Sequence, residues 1–211
     1  VEDLDSVRSK PEMIEANLDE LRWLGLTWDE GPDVSGPHAP YVQSQRHSFY
    51  EETLQRLESQ GHIFKCYLSR KDLRETAAAP HGQMLVYGTR EREQNKRVQA
   101  QKIREGKAPS RRFRVDQESV DFVDALQGEQ SQTIGDFIVK RSDGEWAYQL
   151  AVVTDDIAMG ISEVVRGDDL LQSTATQLLL YKALGATPPT YLHVPLLMDA
   201  SGERMAKRKG S

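Results

Sequence analysis

The sequence predicts an α/β core interrupted by a smaller α+β module, and three observations carry that prediction. Helical spacing of apolar residues dominates the first part of the chain, and β-type runs crowd the middle. The last part then reads strand, helix, strand, with apolar runs on either side of a helix-type segment. On this reading residues 1–62 and 136–211 form the core, and residues 63–135 form the insertion.

Taken in order, "SKPEMIEANLDELRWLGLTW" reads as a helix capped by Ser9, with Pro11 in its first turn and Gly25 at its end. Met13, Ile14, Leu18, Leu21 and Leu24 recur at helical spacing and are expected in the core. After a loop rich in Gly and Pro, "SQRHSFYEETLQRLESQG" gives a second helix, capped by Ser44 and stopped near Gly61. A short helix is expected from Ser69, and "TREREQNKRVQAQKIREG" is polar nearly all round, as in an exposed helix or loop. The runs "RRFRVD", "SVDFVDAL" and "DFIVKRSDGEWAYQLAVV" read as strands, with Ser142, Asp143 and Gly144 turning a hairpin in the last. "ISEVVRG" is then a strand, "STATQLLLYKALG" a helix capped at Ser173 or Thr174, and "YLHVPLLMD" a strand.

The 211 residues carry the apolar content of a globular protein, 38% before 15 glycines are added. No apolar run reaches the ~18 residues of a membrane-spanning helix, and no secretory leader opens the sequence. A cytoplasmic setting without membrane contact is expected. The single cysteine, Cys66, excludes an internal disulfide framework. A formal charge of −6 argues against indiscriminate coating of nucleic acid. Basic residues nonetheless cluster from Arg90 to Arg114 and from Arg204 to Lys209, and such clusters suit a phosphate chain. The opening "VEDLDSVR" and a last residue inside a loop suggest a segment of a larger fold.

Two stretches carry chemistry. In "DASGERMAKRKGS", a glycine-hinged loop brings Lys207 and Arg208 where they can neutralise charge growing during phosphoryl or nucleotidyl transfer. A basic run is more often only solvated, but Met205 breaks the cations in a way a solubility tail rarely needs. In "YQLAVVTDDIAMGISEVVRGDDLL", Tyr148 is placed at a strand's inner end, Asp155 and Asp156 on a turn, and Arg166 at the end of an apolar strand. Carboxyl ends of strands hold ligands in open α/β sheets, and an arginine there suits a carboxylate.

The stretch from "GDFIVKRSDGEWAYQL" to "YKALG", followed by "PPTYLHVPLLMDASGERMAKRKG", resembles the Rossmann-type catalytic core of class I glutamyl-tRNA synthetases and their short paralogues, the glutamyl-Q tRNA(Asp) synthetases. "RMAKR" stands at the place of that class's "KMSKS" loop, and "VEDLDSVRSKPEMIEANLDELRWLGLTWDEGP" resembles the "IEDTD" segment and its helix. The resemblance implies that Glu2 meets the α-ammonium of glutamate, and that Tyr148 and Arg166 contact glutamate, the arginine through a carboxylate. It implies that the backbone of His193 to Leu197, including Val194 and Leu196, lies beside adenine, and that Lys207 sits on the ATP phosphates as the catalytic lysine. ATP, glutamate, a tRNA and Mg²⁺ are the implied substrates and cofactor, and a monomer is expected.

The departures are equally specific. The "HIGH" segment and the first strand are absent from this sequence, so the segment alone is expected to be inactive. Arg204 and Ala206 replace a lysine and a serine of the signature loop, which keeps the charge but changes its geometry. Of the zinc ligands that many relatives carry, only Cys66 and Tyr87 remain, with Leu68 at the second position. Structural zinc takes four N or S ligands, so no zinc is expected, Cys66 is expected to be a buried thiol, and His81 structural. "SRKDLRETAAAPHG" and "RGDDLL" resemble the glutamyl-Q group, implying transfer to the queuosine base of tRNA(Asp). A catalytic fragment that charges tRNA(Glu) and an inactive RNA-binding paralogue are the alternatives.

Overall fold

The computed structural model describes residues 1–5, 9–69, 72, 87–116, 118–199, 201–202 and 205. Helix α1 (Pro11–Trp23) begins with its proline as expected, but Lys10 rather than Ser9 is the N-cap residue. Gly25 takes φ 79° just beyond its end, the left-handed conformation that glycine adopts without penalty. The expected core stripe is not buried: no residue of α1 is, and Met13, Leu21 and Leu24 are exposed. Met13, Ile14, Leu18 and Leu21 instead line an open cavity with Trp28, since no described element packs over that face.

Helix α2 (His47–Ser59) follows a short 3-10 turn at Gln43–Gln45. Ser44 is not its cap; its N–H and Oγ bond Asp3 at 2.8 and 2.6 Å and so tie the N-terminal segment to this turn. Tyr50, Leu54 and Leu57, spaced one helical turn apart, bury the inner face.

Strand β1 (Ile63–Cys66) leads to Ser69 and Asp72, which exchange helix-cap hydrogen bonds; the remainder of the expected short helix, with His81, lies outside the described residues. The polar stretch is helix α3 (Thr89–Arg104), and Glu91 accepts the Gly88 N–H at its start. Its only buried residue, Asn95, accepts the Tyr67 N–H at 2.7 Å and donates to the Lys65 carbonyl at 2.9 Å, docking α3 on β1.

Strands β2 (Ser110–Phe113) and β5 (Phe137–Lys140) join β1 in an antiparallel sheet ordered β1-β2-β5. The second sheet is ordered β4-β3-β7-β6, from β3 (Glu118–Asp124), β4 (Gly128–Ile134), β6 (Glu163–Gly167) and β7 (Thr190–Val194). Within it β3 and β4 form a hairpin, while β6 and β7 run parallel and pair Arg166 with His193. Strand β4, a polar run, was not among the expected elements.

The stretch "YQLAVVTDDIAM", expected as strand, is a helix. The turn at Ser142–Gly144 exists, but the return strand stops after one bridge, Lys140 to Trp146. The chain then enters helix α4 (Tyr148–Met159), ended by Gly160 in the left-handed conformation. Leu150, Ala151, Val153, Thr154 and Asp155 are all buried, and an apolar run buried on several sides has no period that separates helix from strand. Tyr148 therefore opens a helix rather than sitting at a strand's inner end. Helix α5 (Leu171–Ala183) starts directly after a 3-10 turn at Asp168–Leu170, earlier than the expected cap at Ser173 or Thr174. Helices α2, α4 and α5 share one core with Phe113, Val115, Val139 and Trp146.

Candidate active site

Parallel strands joined by a helix place their carboxyl ends side by side, and here that puts Arg166–Gly167 of β6 beside His193–Val194 of β7. A Cβ at Gly167 would lie 2.7 Å from Asp169 Oδ1 and 2.8 Å from Leu196 Cδ2, so glycine lets these two side-chain ends approach the strand end without shifting.

Arg166 is held from three sides. Its Nε donates to His193 Nε2 at 2.9 Å, and Nη2 donates to Thr174 Oγ1 at 2.9 Å and to the Leu170 carbonyl at 3.3 Å. The Tyr191 ring lies 5.2 Å from the guanidinium carbon. Nη1 makes only a long 3.5 Å contact with the Tyr148 hydroxyl. A guanidinium has five N–H donors; Nε and Nη2 are engaged, which leaves Nη1 as the end that can meet a ligand.

Glu2, Tyr148, Gln43 and Trp146 line a cavity of about 460 Å³ together with Asp5, Arg141, Asp143 and Glu145, and Tyr148 links it to Arg166. Glu2 also borders the neighbouring cavity under α1, so it stands between the two. Desolvation raises the Glu2 carboxyl above its usual range against the pull of the Val1 amino group and Arg166. Desolvation and the nearby Glu2 likewise push the Tyr148 phenol up, so Tyr148 is a neutral donor at physiological pH. Arg166 Nη1, the Tyr148 phenol and the Glu2 carboxylate thus come together as a set that suits a zwitterionic amino acid, with Arg141, Asp143 and Glu145 as further charged groups lining the cavity.

The paired carboxylates on α4 part company, because neighbouring residues on a helix point about 100° apart. Asp155 is buried and accepts from Arg46 Nε at 2.6 Å, Tyr50 at 2.9 Å and Gln43 at 3.0 Å. Asp156 accepts from Tyr181 at 3.3 Å, and desolvation raises its pKa to about 6.

Strand β7 differs from expectation in detail. The His193 side chain is fully buried between Asp124 and Arg166, so only its backbone can border a nucleotide. Val194 is exposed, and Leu196 lies against Gly167. In the loop that follows, Ser201 bonds Asp199 in a tight turn at Gly202, and Met205 N–H returns to the Leu197 carbonyl at 2.9 Å. Lys207 lies outside the described residues. Asp124 and Tyr191 were not singled out from sequence, and Thr174 only as a candidate helix cap; each is a common residue type whose role in the site appears only when β3, α5 and β7 meet.

The region expected to lack zinc has its own packing. Cys66 Sγ lies 3.3 Å from the Tyr87 hydroxyl, both buried with Leu68 in a small apolar cluster. The Arg112 guanidinium sits 4.2 Å over the Tyr87 ring, and the Glu91 carboxylate is engaged by the Gly88 N–H. Among the described residues no group of three or more His, Cys, Asp or Glu side chains is placed to hold a metal ion. These residues do not fit a four-ligand zinc site.

The profile of the family described as "tRNA synthetases class I (E and Q), catalytic domain" matches residues 1–211. The chain belongs to that family. Its Rossmann-type α/β core is that of an aminoacyl-tRNA synthetase-like ligase. The glutamyl-Q tRNA(Asp) synthetase of Symbiobacterium thermophilum is 47% identical over 218 residues, and that of Nitratidesulfovibrio vulgaris 49% over 217. The alignment covers 100% of the chain and 67% of each of those two relatives. A glutamate–tRNA ligase of Heliobacterium modesticaldum is 43% identical, with 100% of the chain covering 44% of that protein. Among solved structures, a glutamate tRNA ligase from Elizabethkingia meningosepticum in complex with its amino acid superposes with a TM-score of 0.83 at 26% identity, over 100% of the chain and 45% of its own. This class I domain thus spans two thirds of one group of relatives and under half of the other.

Proposed function

We propose that the complete protein activates glutamate with ATP, without requiring RNA, and transfers it to the queuosine base of tRNA(Asp). The observation that carries the glutamate assignment is the Arg166 guanidinium, fixed on Nε and Nη2, with Nη1 turned to the Tyr148 hydroxyl and its charge felt by Glu2, both of which line the cavity. Arg166 takes a carboxylate of glutamate with the Tyr148 hydroxyl as second donor, and Glu2 takes the ammonium.

A carboxylate oxygen of glutamate attacks the α-phosphorus of ATP; the new O–P bond forms as the bond to the β-phosphate oxygen breaks and pyrophosphate leaves. The acyl group then passes to the RNA and AMP is released. No side chain needs to move a proton in the first step, so placement of two anions and neutralisation of developing charge carry the rate. Lys207 supplies the charge on the phosphates, the backbone from His193 to Leu197 borders adenine, and Mg²⁺ travels with the ATP. The protein acts as a cytoplasmic monomer.

Three features favour the glutamyl-Q reading: the segments "SRKDLRETAAAPHG" and "RGDDLL", the identities of 47% and 49% to two of that group, and the larger share of those relatives that is covered. The second reading, charging of tRNA(Glu), draws on the 43% identity to the Heliobacterium ligase, a match that runs along the whole chain but covers 44% of that ligase. Exchange of labelled pyrophosphate into ATP tests activation. Exchange that requires glutamate but no RNA is the expected result; exchange only with tRNA present overturns the RNA-independent step.

A further inference from the structure

Behind Arg166 runs a buried chain of hydrogen bonds with a defined direction. Arg166 Nε–H can only donate, so His193 Nε2, 2.9 Å away, must accept through its lone pair. The ring proton is then on Nδ1 and points at Asp124 Oδ2, 2.6 Å away. Both His193 and Asp124 side chains have no solvent exposure. The other carboxylate oxygen of Asp124 accepts the backbone N–H groups of Leu126 at 3.1 Å, Gln127 at 2.8 Å and His193 at 3.3 Å. These bonds, foremost the one from His193 among the side chains, outweigh desolvation and hold the Asp124 carboxyl down at about 2. Asp124 therefore stays a carboxylate, and a carboxylate at Nδ1 leaves the neutral ring no choice of tautomer.

We infer that Asp124 and His193 are positioning residues for the substrate arginine: Asp124 sets the His193 tautomer, and His193 holds Nε of Arg166 so that Nη1 faces the Tyr148 hydroxyl, which lines the proposed glutamate cavity. The chain spans three strands, β3, β7 and β6, so the direction of the guanidinium is set by the sheet rather than by a loop. Thr174, fully buried on α5, closes the other side of the fork through Nη2. Were the ring protonated on Nε2, two N–H groups would face each other across the 2.9 Å gap and Arg166 would have to rotate.

This inference rests on the glutamate reading of the pocket, and its test separates the two. In the complete protein, Asp124→Asn keeps an oxygen for the three backbone N–H groups but offers His193 an amide N–H, which favours the Nε2-protonated tautomer. The expected result is a glutamate KM raised about tenfold or more with the ATP KM within about twofold of wild type, the scale of one lost charge-assisted hydrogen bond. His193→Leu raises the glutamate KM in the same way. His193→Gln, whose amide oxygen can stand in for Nε2, recovers most of it. An unchanged glutamate KM in both Asp124→Asn and His193→Leu, or equal rises in both KM values, overturns the relay. The imidazole ¹⁵N spectrum of His193 reads the tautomer directly: Nδ1–H in the wild type and Nε2–H in Asp124→Asn are expected, and Nε2–H in the wild type contradicts the relay. If the wild type shows no glutamate-dependent exchange, the functional reading fails, and the spectrum still decides the relay.

Discussion

The strand-end region around Arg166 and the small module around Cys66 both bury polar side chains, yet they treat them differently. Around Arg166 the buried polar groups are paired in series, from Asp124 through His193 to the guanidinium and Thr174. Around Tyr87 the pairing is partial: Arg112 Nη1 donates to the Asp136 carbonyl and Asp136 Oδ1 accepts the Val115 N–H, but Arg112 Nε and Asp136 Oδ2 are buried without a hydrogen-bond partner among the described residues, beside the apolar packing of Cys66, Leu68 and Tyr87. A satisfied network has one geometry, which a substrate site needs; an apolar cluster tolerates several, which suffices to hold a module together. Tyr191 is the exception beside the site, since its buried hydroxyl also lacks a partner among the described residues.

The sharpest way to break this contrast is to cut the network at its working end. Arg166→Ala in the complete protein is expected to lower glutamate-dependent pyrophosphate exchange at least about a hundredfold, the scale of losing a charged contact. Retained exchange would remove Arg166 from the pocket. Next in size is the buried pair behind the site: Asp155→Ala leaves Arg46 uncompensated and is expected to cost about 3–5 kcal/mol in chemical denaturation. A loss below about 1 kcal/mol would show the pair to be solvated.

In the module, Leu68→Ala is expected to cost about 2–3 kcal/mol through the cavity it leaves, while exchange activity changes little. A larger effect on glutamate KM than on stability would place the module in the site. Metal analysis of purified protein is expected to find no zinc; one bound equivalent would show a ligand set beyond Cys66 and Tyr87.

The smallest effect concerns Asp156. Its folded-state pKa is raised to about 6, so between about pH 4 and 6 the folded protein keeps a proton that the unfolded chain has lost. Stability therefore falls as pH rises through that window. Asp156→Asn is expected to flatten this fall and to stabilise the protein at pH 7 by about 1–2 kcal/mol. A steeper fall, or destabilisation, would contradict the assigned direction.

How much of this was legible in the sequence depended on the kind of signal. Helix α2, strand β6 and the stop at Gly25 followed from spacing and turn chemistry, which are local. Helix α4 was misread as strand because "LAVVTD" is buried on several faces and carries no period. The stripe of α1 was legible as amphipathic, but what it packs against is not a property of the helix itself. Within the site, Arg166 and Tyr148 stood out by residue type and by resemblance. Asp124 did not, since a lone aspartate at the end of an exposed-looking strand gives no sign that it will meet His193, which is 69 residues away.

A glutamate-activating site that serves tRNA(Asp) makes one direct demand on the RNA substrate. Labelled glutamate and ATP, incubated with the complete protein and either queuosine-containing tRNA(Asp) or tRNA(Glu), test it most directly. Label on tRNA(Asp) that is lost when queuosine is absent is the predicted result. Label at the 3′ end of tRNA(Glu), or on neither RNA, would contradict it.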